Sequence, residues 1–152
     1  MKYLSKIILT LMLAMFVPSV AMAYDYDRKF AVKFNAQAKR LYGPNTDMSL
    51  DGRCDRNGCY WWWYREHEVR EERGVFSVFT VNKGKEKREE SRKFLTVILS
   101  LVYTKDLNVA KQAADRLSRN CINGILQHKS MVINYVSNDG ASCRVMIFEE
   151  DD

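Results

Sequence analysis

The sequence predicts an α+β domain, an antiparallel sheet of two hairpins with helices packed on one face. Three features predict it. Two β-branched and aromatic segments, 59–69 and 75–81, flank the turn Glu71-Glu72-Arg73-Gly74. A second pair of segments, 131–136 and 142–148, is joined through Asn138-Asp139-Gly140, a strong hairpin signal. Before and between the pairs lie stretches with helical spacing. The expected order is α-β-β-α-α-β-β, or α-β-β-β-α-β-β if the segment around 86–103 is a strand.

Residues 24–41 are the first expected helix. Phe30, Phe34 and Leu41 fall near one face, with Val32, Ala36 and Ala38 beside it, and Gly43-Pro44-Asn45 stops it. A loop of turn formers, 46–58, precedes the first hairpin. The tip of that hairpin is too charged to be buried and its base too aromatic to be exposed. For 86–103 the helix formers Glu86-Lys87-Arg88-Glu89-Glu90 and a polar stripe at Lys93, Thr96, Ser100 and Thr104 favour a helix. Asp106 can cap the next helix, with Leu107, Ala110, Ala114, Leu117, Cys121 and Ile125 on its core face.

The N-terminus has the three parts of a secretory signal. Lys2 and Lys6 give the positive start, residues 7–17 the apolar run, and Ala21-Met22-Ala23 the small-x-small cleavage site after Pro18-Ser19. Eleven apolar-run residues fall short of the roughly 20 that span a bilayer. Cleavage after Ala23 takes 23 residues from 152 and leaves a single domain of 129, residues 24–152, in the periplasm or beyond. Losing Lys2 and Lys6 leaves 22 basic against 19 acidic residues, a net charge of +3. So small an imbalance argues against nucleic acid, and no later run is apolar and long enough to insert stably in a membrane.

Cys54, Cys59, Cys121 and Cys143 are an even number in an exported chain, which points to two disulfides and three possible pairings. Proximity favours Cys54–Cys59, closing Asp55-Arg56-Asn57-Gly58, and Cys121–Cys143, tying a helix to the last strand. No Cys-x-x-Cys is present, and His67 and His128 are the only histidines, so neither redox catalysis nor a zinc site is expected.

No catalytic or cofactor motif survives inspection. His67 stands between Glu66 and Glu68, but neighbours along a strand point to opposite faces and cannot act together. Asp55-Arg56-Asn57-Gly58 fails as a calcium loop, because the frame puts Arg53 first and Tyr64 twelfth where acids belong. The most unusual feature is Tyr60-Trp61-Trp62-Trp63-Tyr64. Strand alternation sends Tyr60, Trp62 and Tyr64 to one face and Trp61 and Trp63 to the other. One set fills the core. The other is either buried by a second cover or forms an aromatic patch for a protein partner, with stacking on sugar rings as a lesser reading.

Two resemblances follow. Cys54-x4-Cys59 with its following strand resembles the inhibitory loop of periplasmic lysozyme inhibitors of the Ivy type. That would make Asp55, Arg56 and Asn57 a plug for a hydrolase or toxin, although the family's loop carries a histidine. The whole layout, with its size, export signal and cysteines, resembles the small periplasmic accessory proteins of type IVb pili, of the toxin-coregulated and bundle-forming kinds. That resemblance implies a non-enzymatic protein, without cofactor, which binds other components of an envelope-spanning pilus or secretion machine. The contact would come from Tyr60 to Tyr64.

Overall fold

The computed structural model describes residues 29–55, 58–137 and 139–150, the backbone alone being described for 53–55 and 58–60. The leader, Arg56, Asn57 and Asn138 therefore lie outside the described residues. So do the side chains of Cys54, Asp55, Cys59 and Tyr60, and with them the expected Cys54–Cys59 bond.

Helix α1, described over 29–42, leads into β1 (Asp51–Asp55), β2 (Gly58–Tyr64), β3 (His67–Glu72) and β4 (Val75–Val81). Helices α2 (Gly84–Val102) and α3 (Leu107–Arg119) follow, then β5 (Gly124–His128), β6 (Met131–Ser137) and β7 (Ser142–Glu149). The strands form one antiparallel sheet in the order β1-β2-β3-β4-β7-β6-β5. The architecture is α+β.

Strands are more numerous than the two expected hairpins supply, for local reasons. The segment expected as one strand, 59–69, folds back on itself at Arg65-Glu66, with Tyr64 paired to His67. Arg65 takes φ 55 there, which a non-glycine residue accepts only with support, and its guanidinium is bonded to Asp47 and Glu90. Arg73 (φ 52) and Gly74 (φ 82) make the next turn, both in the left-handed region that matches the twist of a two-residue hairpin. The end of the expected loop 46–58 is β1.

The segment around 86–103 is a helix. It is buried on nearly every side from Phe94 to Leu99, which is why its composition resembled a strand: a helix enclosed on all sides is apolar all round. Phe34 of α1 meets Phe94 with ring centroids 5.6 Å apart, the Tyr42 hydroxyl reaches the Lys93 carbonyl, and α3 packs along the other flank.

The third helix is shorter than its spacing predicted. Asp106 caps it as expected, accepting from the N–H groups of Asn108 and Val109. It ends at Arg119, so Cys121 lies in the connection and Ile125 stands exposed on β5 instead of in the core. Val32 and Ala36 of α1 likewise face solvent.

The three helices among the described residues cover one sheet face. Trp62, Val69, Val78, Val145, Ile147, Ile133 and Tyr135 project into that core. Each edge strand carries a glycine beneath a neighbouring aromatic. A Cβ on Gly52 would stand 3.0 Å from Trp62 Cδ1, and one on Gly124 only 2.6 Å from Tyr135 Oη. The Cys121–Cys143 disulfide, across 22 residues, ties the start of the last three-stranded unit to β7. Such a bond fits an oxidising compartment. No helix among the described residues is long and apolar enough to cross a membrane.

Replacing both cysteines, Cys121→Ser with Cys143→Ser, releases a loop of this length and should lower stability by about 3 kcal/mol. Urea denaturation of the oxidised wild type against the double variant checks this; equal midpoints would contradict it.

Candidate functional site

Alternation along β2 divides the tryptophan run as expected. Trp62 and Tyr64 turn inward, Trp62 against Phe30 (centroids 4.8 Å apart) and Tyr64 parallel to Phe94 (6.1 Å). Trp61 and Trp63 turn to the opposite face, which no helix covers among the described residues. Of the five-residue patch proposed from sequence, the structure places these two on the open face and removes Trp62 and Tyr64 to the core.

On that face Trp61 and Trp63 stack with centroids 5.3 Å apart and planes 24° from parallel. The pairing Trp61↔Arg70 sets the Arg70 guanidinium 4.6 Å from the centre of the Trp61 ring. Trp61 Nε1 donates to Glu68 Oε2 at 3.2 Å. The result is a ladder, guanidinium on indole beside indole, whose polar edge is already satisfied. Beside it Phe79, Met146, Arg73 and Arg144 line a depression of about 590 Å³. The guanidinium–indole contact is worth about 0.5–1 kcal/mol at an exposed site, and with the stack and the hydrogen bond it biases the indoles toward this arrangement before anything binds.

A second constellation escaped the sequence, because its members are scattered along it, Arg65 standing 25 residues from Glu90 and 18 from Asp47. His67 is fully buried between β3 and α2, not on an exposed ribbon. Its Nδ1 accepts from the Val81 N–H at 3.3 Å, so the ring proton sits on Nε2. Nε2 lies 3.0 Å from Glu90 Oε1, but the N–H does not point along that line, and both atoms lack a formal hydrogen-bond partner. Glu90 Oε2 is bonded to Arg65, which also reaches Asp47 Oδ2 at 2.5 Å; Lys87 Nζ stands 3.5 Å from Glu90 and 3.4 Å from Glu66. The signal in the sequence was a polar residue, Glu90, one turn before an apolar helical run.

Burial holds His67 below the ordinary value of 6.5, overcoming the attraction of Glu90. Glu90 itself is desolvated, which alone would raise it, yet Arg65, His67 and Lys87 bring it below 4.5. Arg65 is held above its usual value by Glu90 and Asp47. The cluster opens on a groove of about 610 Å³ lined by Tyr42, Asp47, Tyr64, Arg65 and Lys93, whose charges largely compensate one another. His67 itself is fully buried, and the cluster joins the β2–β3 turn to α2. Among the described residues no group of three or more His, Cys, Asp or Glu is placed to hold a metal.

Of the alternative loop, Asp55 ends β1, while Arg56 and Asn57 lie outside the described residues. The chain matches no protein-family model, no curated protein and no solved structure at a significant level.

A native histidine kept neutral while the unfolded one titrates near 6.5 costs stability in acid. Stability should therefore be full above about pH 7 and fall as pH drops through 6.5, by up to about 1.4 kcal/mol per unit for one proton. Glu90 adds a further loss below 4.5, where the unfolded carboxyl takes its proton first. His67→Gln, which keeps an acceptor for the Val81 N–H, should flatten the limb between pH 6.5 and 5. Urea midpoints at pH 7.5, 6 and 5 decide it; an unchanged limb in the variant would contradict it.

Proposed function

We propose that this chain is a non-enzymatic periplasmic accessory protein that binds components of an envelope-spanning assembly machine, of the type IV pilus or secretion kind. The reading rests on one observation: Trp61 and Trp63 are stacked and held in place on a sheet face that no helix covers among the described residues. Preordered aromatics beside arginine are what binding hot spots are made of, because little side-chain freedom is left to lose on contact. The oxidised Cys121–Cys143 pair and the export signal support the compartment.

The partner surface has an apolar centre to meet Trp61, Phe79 and Met146, and an acidic rim. Arg73 and Arg144 line the depression without an ion pair among the described residues, and together with Arg70 they outnumber Glu68 and Glu72. The lysozyme-inhibitor reading relies instead on Asp55, Arg56 and Asn57, of which Arg56, Asn57 and the Asp55 side chain lie outside the described residues.

A photo-cross-linking amino acid at Phe79 or Met146, introduced in cells, should trap an envelope assembly component, while one at Lys111 on α3 should not. Trp61→Ala with Trp63→Ala should leave the melting temperature nearly unchanged, yet weaken binding to that component at least tenfold, in keeping with hot-spot losses of about 2 kcal/mol or more. Deleting the gene should abolish a surface fibre or a secreted cargo. A double variant that restores the fibre fully to the deletion strain sinks the proposal. A deletion strain that is only sensitised to lysozyme points to the loop.

A further inference from the structure

The two edges of the sheet are built differently. The β1 edge carries Asp51, Arg53 and Asp55 and is interrupted by a register shift between Arg53 and Asp55. Charges and bulges are the usual means by which a sheet edge is kept from pairing with another chain. The β5 edge has neither. Its sequence Gly-Ile-Leu-Gln-His contains no Asp, Glu, Lys or Arg, and it runs in unbroken register with β6. It pairs with β6 alone, so among the described residues the N–H and C=O groups along its other side face no strand.

Exposed aliphatic side chains gather at the same edge. Ile122 is 72%, Ile125 66% and Val136 37% exposed, three of the five large apolar residues left open among the described residues. Ile125 pairs with Asn134, which puts it diagonally from Val136 on the uncovered face. The strand is also held rigidly. Cys121–Cys143 anchors its approach, Asn123 Oδ1 accepts from the Ser137 N–H at 3.1 Å, and the Tyr135 ring lies over Gly124.

We propose that β5 pairs antiparallel with β5 of a second copy of this chain, joining the two sheets into one. The strand is complementary to itself. About a twofold axis through Leu126, Ile125 stands opposite Gln127 of the second copy and Gly124 opposite its His128, so no pair of like full charges meets. The two Ile125 side chains become diagonal neighbours at about 7 Å, within reach of each other. An isologous contact of this kind closes at two copies. It leaves Trp61 clear, since β5 stands five strands from β2, roughly 24 Å away. The inference is independent of the function proposed above.

Sedimentation velocity of the purified oxidised chain, from about 5 μM to about 1 mM, should show a reversible monomer–dimer equilibrium. Ile125→Lys should raise the dissociation constant at least tenfold without moving the melting temperature, whereas Val32→Lys, on an exposed apolar site of α1, should leave it unchanged. Hydrogen exchange should show the β5 amides becoming protected as concentration rises. A chain that stays monomeric to 1 mM, or a dimer indifferent to Ile125→Lys with β5 amides still open, overturns the proposal.

Discussion

Everything in this fold depends on α2 lying across the inner face of the sheet. The helix is enclosed by the strands, α1 and α3, and buries Phe94, Leu95, Val97, Ile98 and Leu99 without a break. Each such side chain contributes about 1.5–3 kcal/mol on leaving water. A net stability of about 5–15 kcal/mol for a domain is of the order of a few of them. The two halves of the sheet, β1 to β4 before this helix in the chain and β5 to β7 after it, are joined by the pairing of β4 with β7.

Helix coverage on one side makes the other side a surface of a different kind. Strand alternation delivers every second residue of β2 to it whatever its chemistry, and in this chain two of those residues are Trp61 and Trp63. Nothing in the described fold buries them, so Arg70 and Glu68 on β3 supply partial cover and a hydrogen bond. The same alternation puts Ile125 and Val136 on that face at the far edge. The inner face shows the opposite economy: glycines 52 and 124 let Trp62 and Tyr135 close over the edge strands where no further strand continues the sheet.

Between these layers the buried charge of Glu90 is an exception that the packing accommodates. An isolated carboxylate at that depth would be prohibitive. Arg65, Lys87 and His67 surround it, and each comes from a place that the cluster thereby ties to α2 or to the neighbouring turn. Arg65 belongs to the β2–β3 turn, so the same bond that neutralises Glu90 holds a left-handed backbone and sets where β2 reverses. Such clusters add little net stability compared with apolar replacements. Their consequence here is register: a slip of one residue in β3 would move His67 out of the core and Glu68 into it.

Period and composition alone determined the α+β class, the inward and outward division of Trp61 to Tyr64 and the Asp106 cap, because each depends on residues near in sequence or on simple alternation; of three possible cysteine pairings they only favoured the one that contains Cys121–Cys143. The reversal at Arg65-Glu66 carried no glycine, proline or asparagine to announce it; it is made possible by Asp47 and Glu90, 18 and 25 residues away. The end of α3 before Cys121 was hidden because Ile125 happens to continue a helical spacing, while pairing with β6 claims that residue for a strand. The burial of His67, the open β5 edge and the ladder on the uncovered face were decided by tertiary structure. Each follows from which surfaces meet, and a one-dimensional pattern records what a residue prefers without recording what stands opposite it.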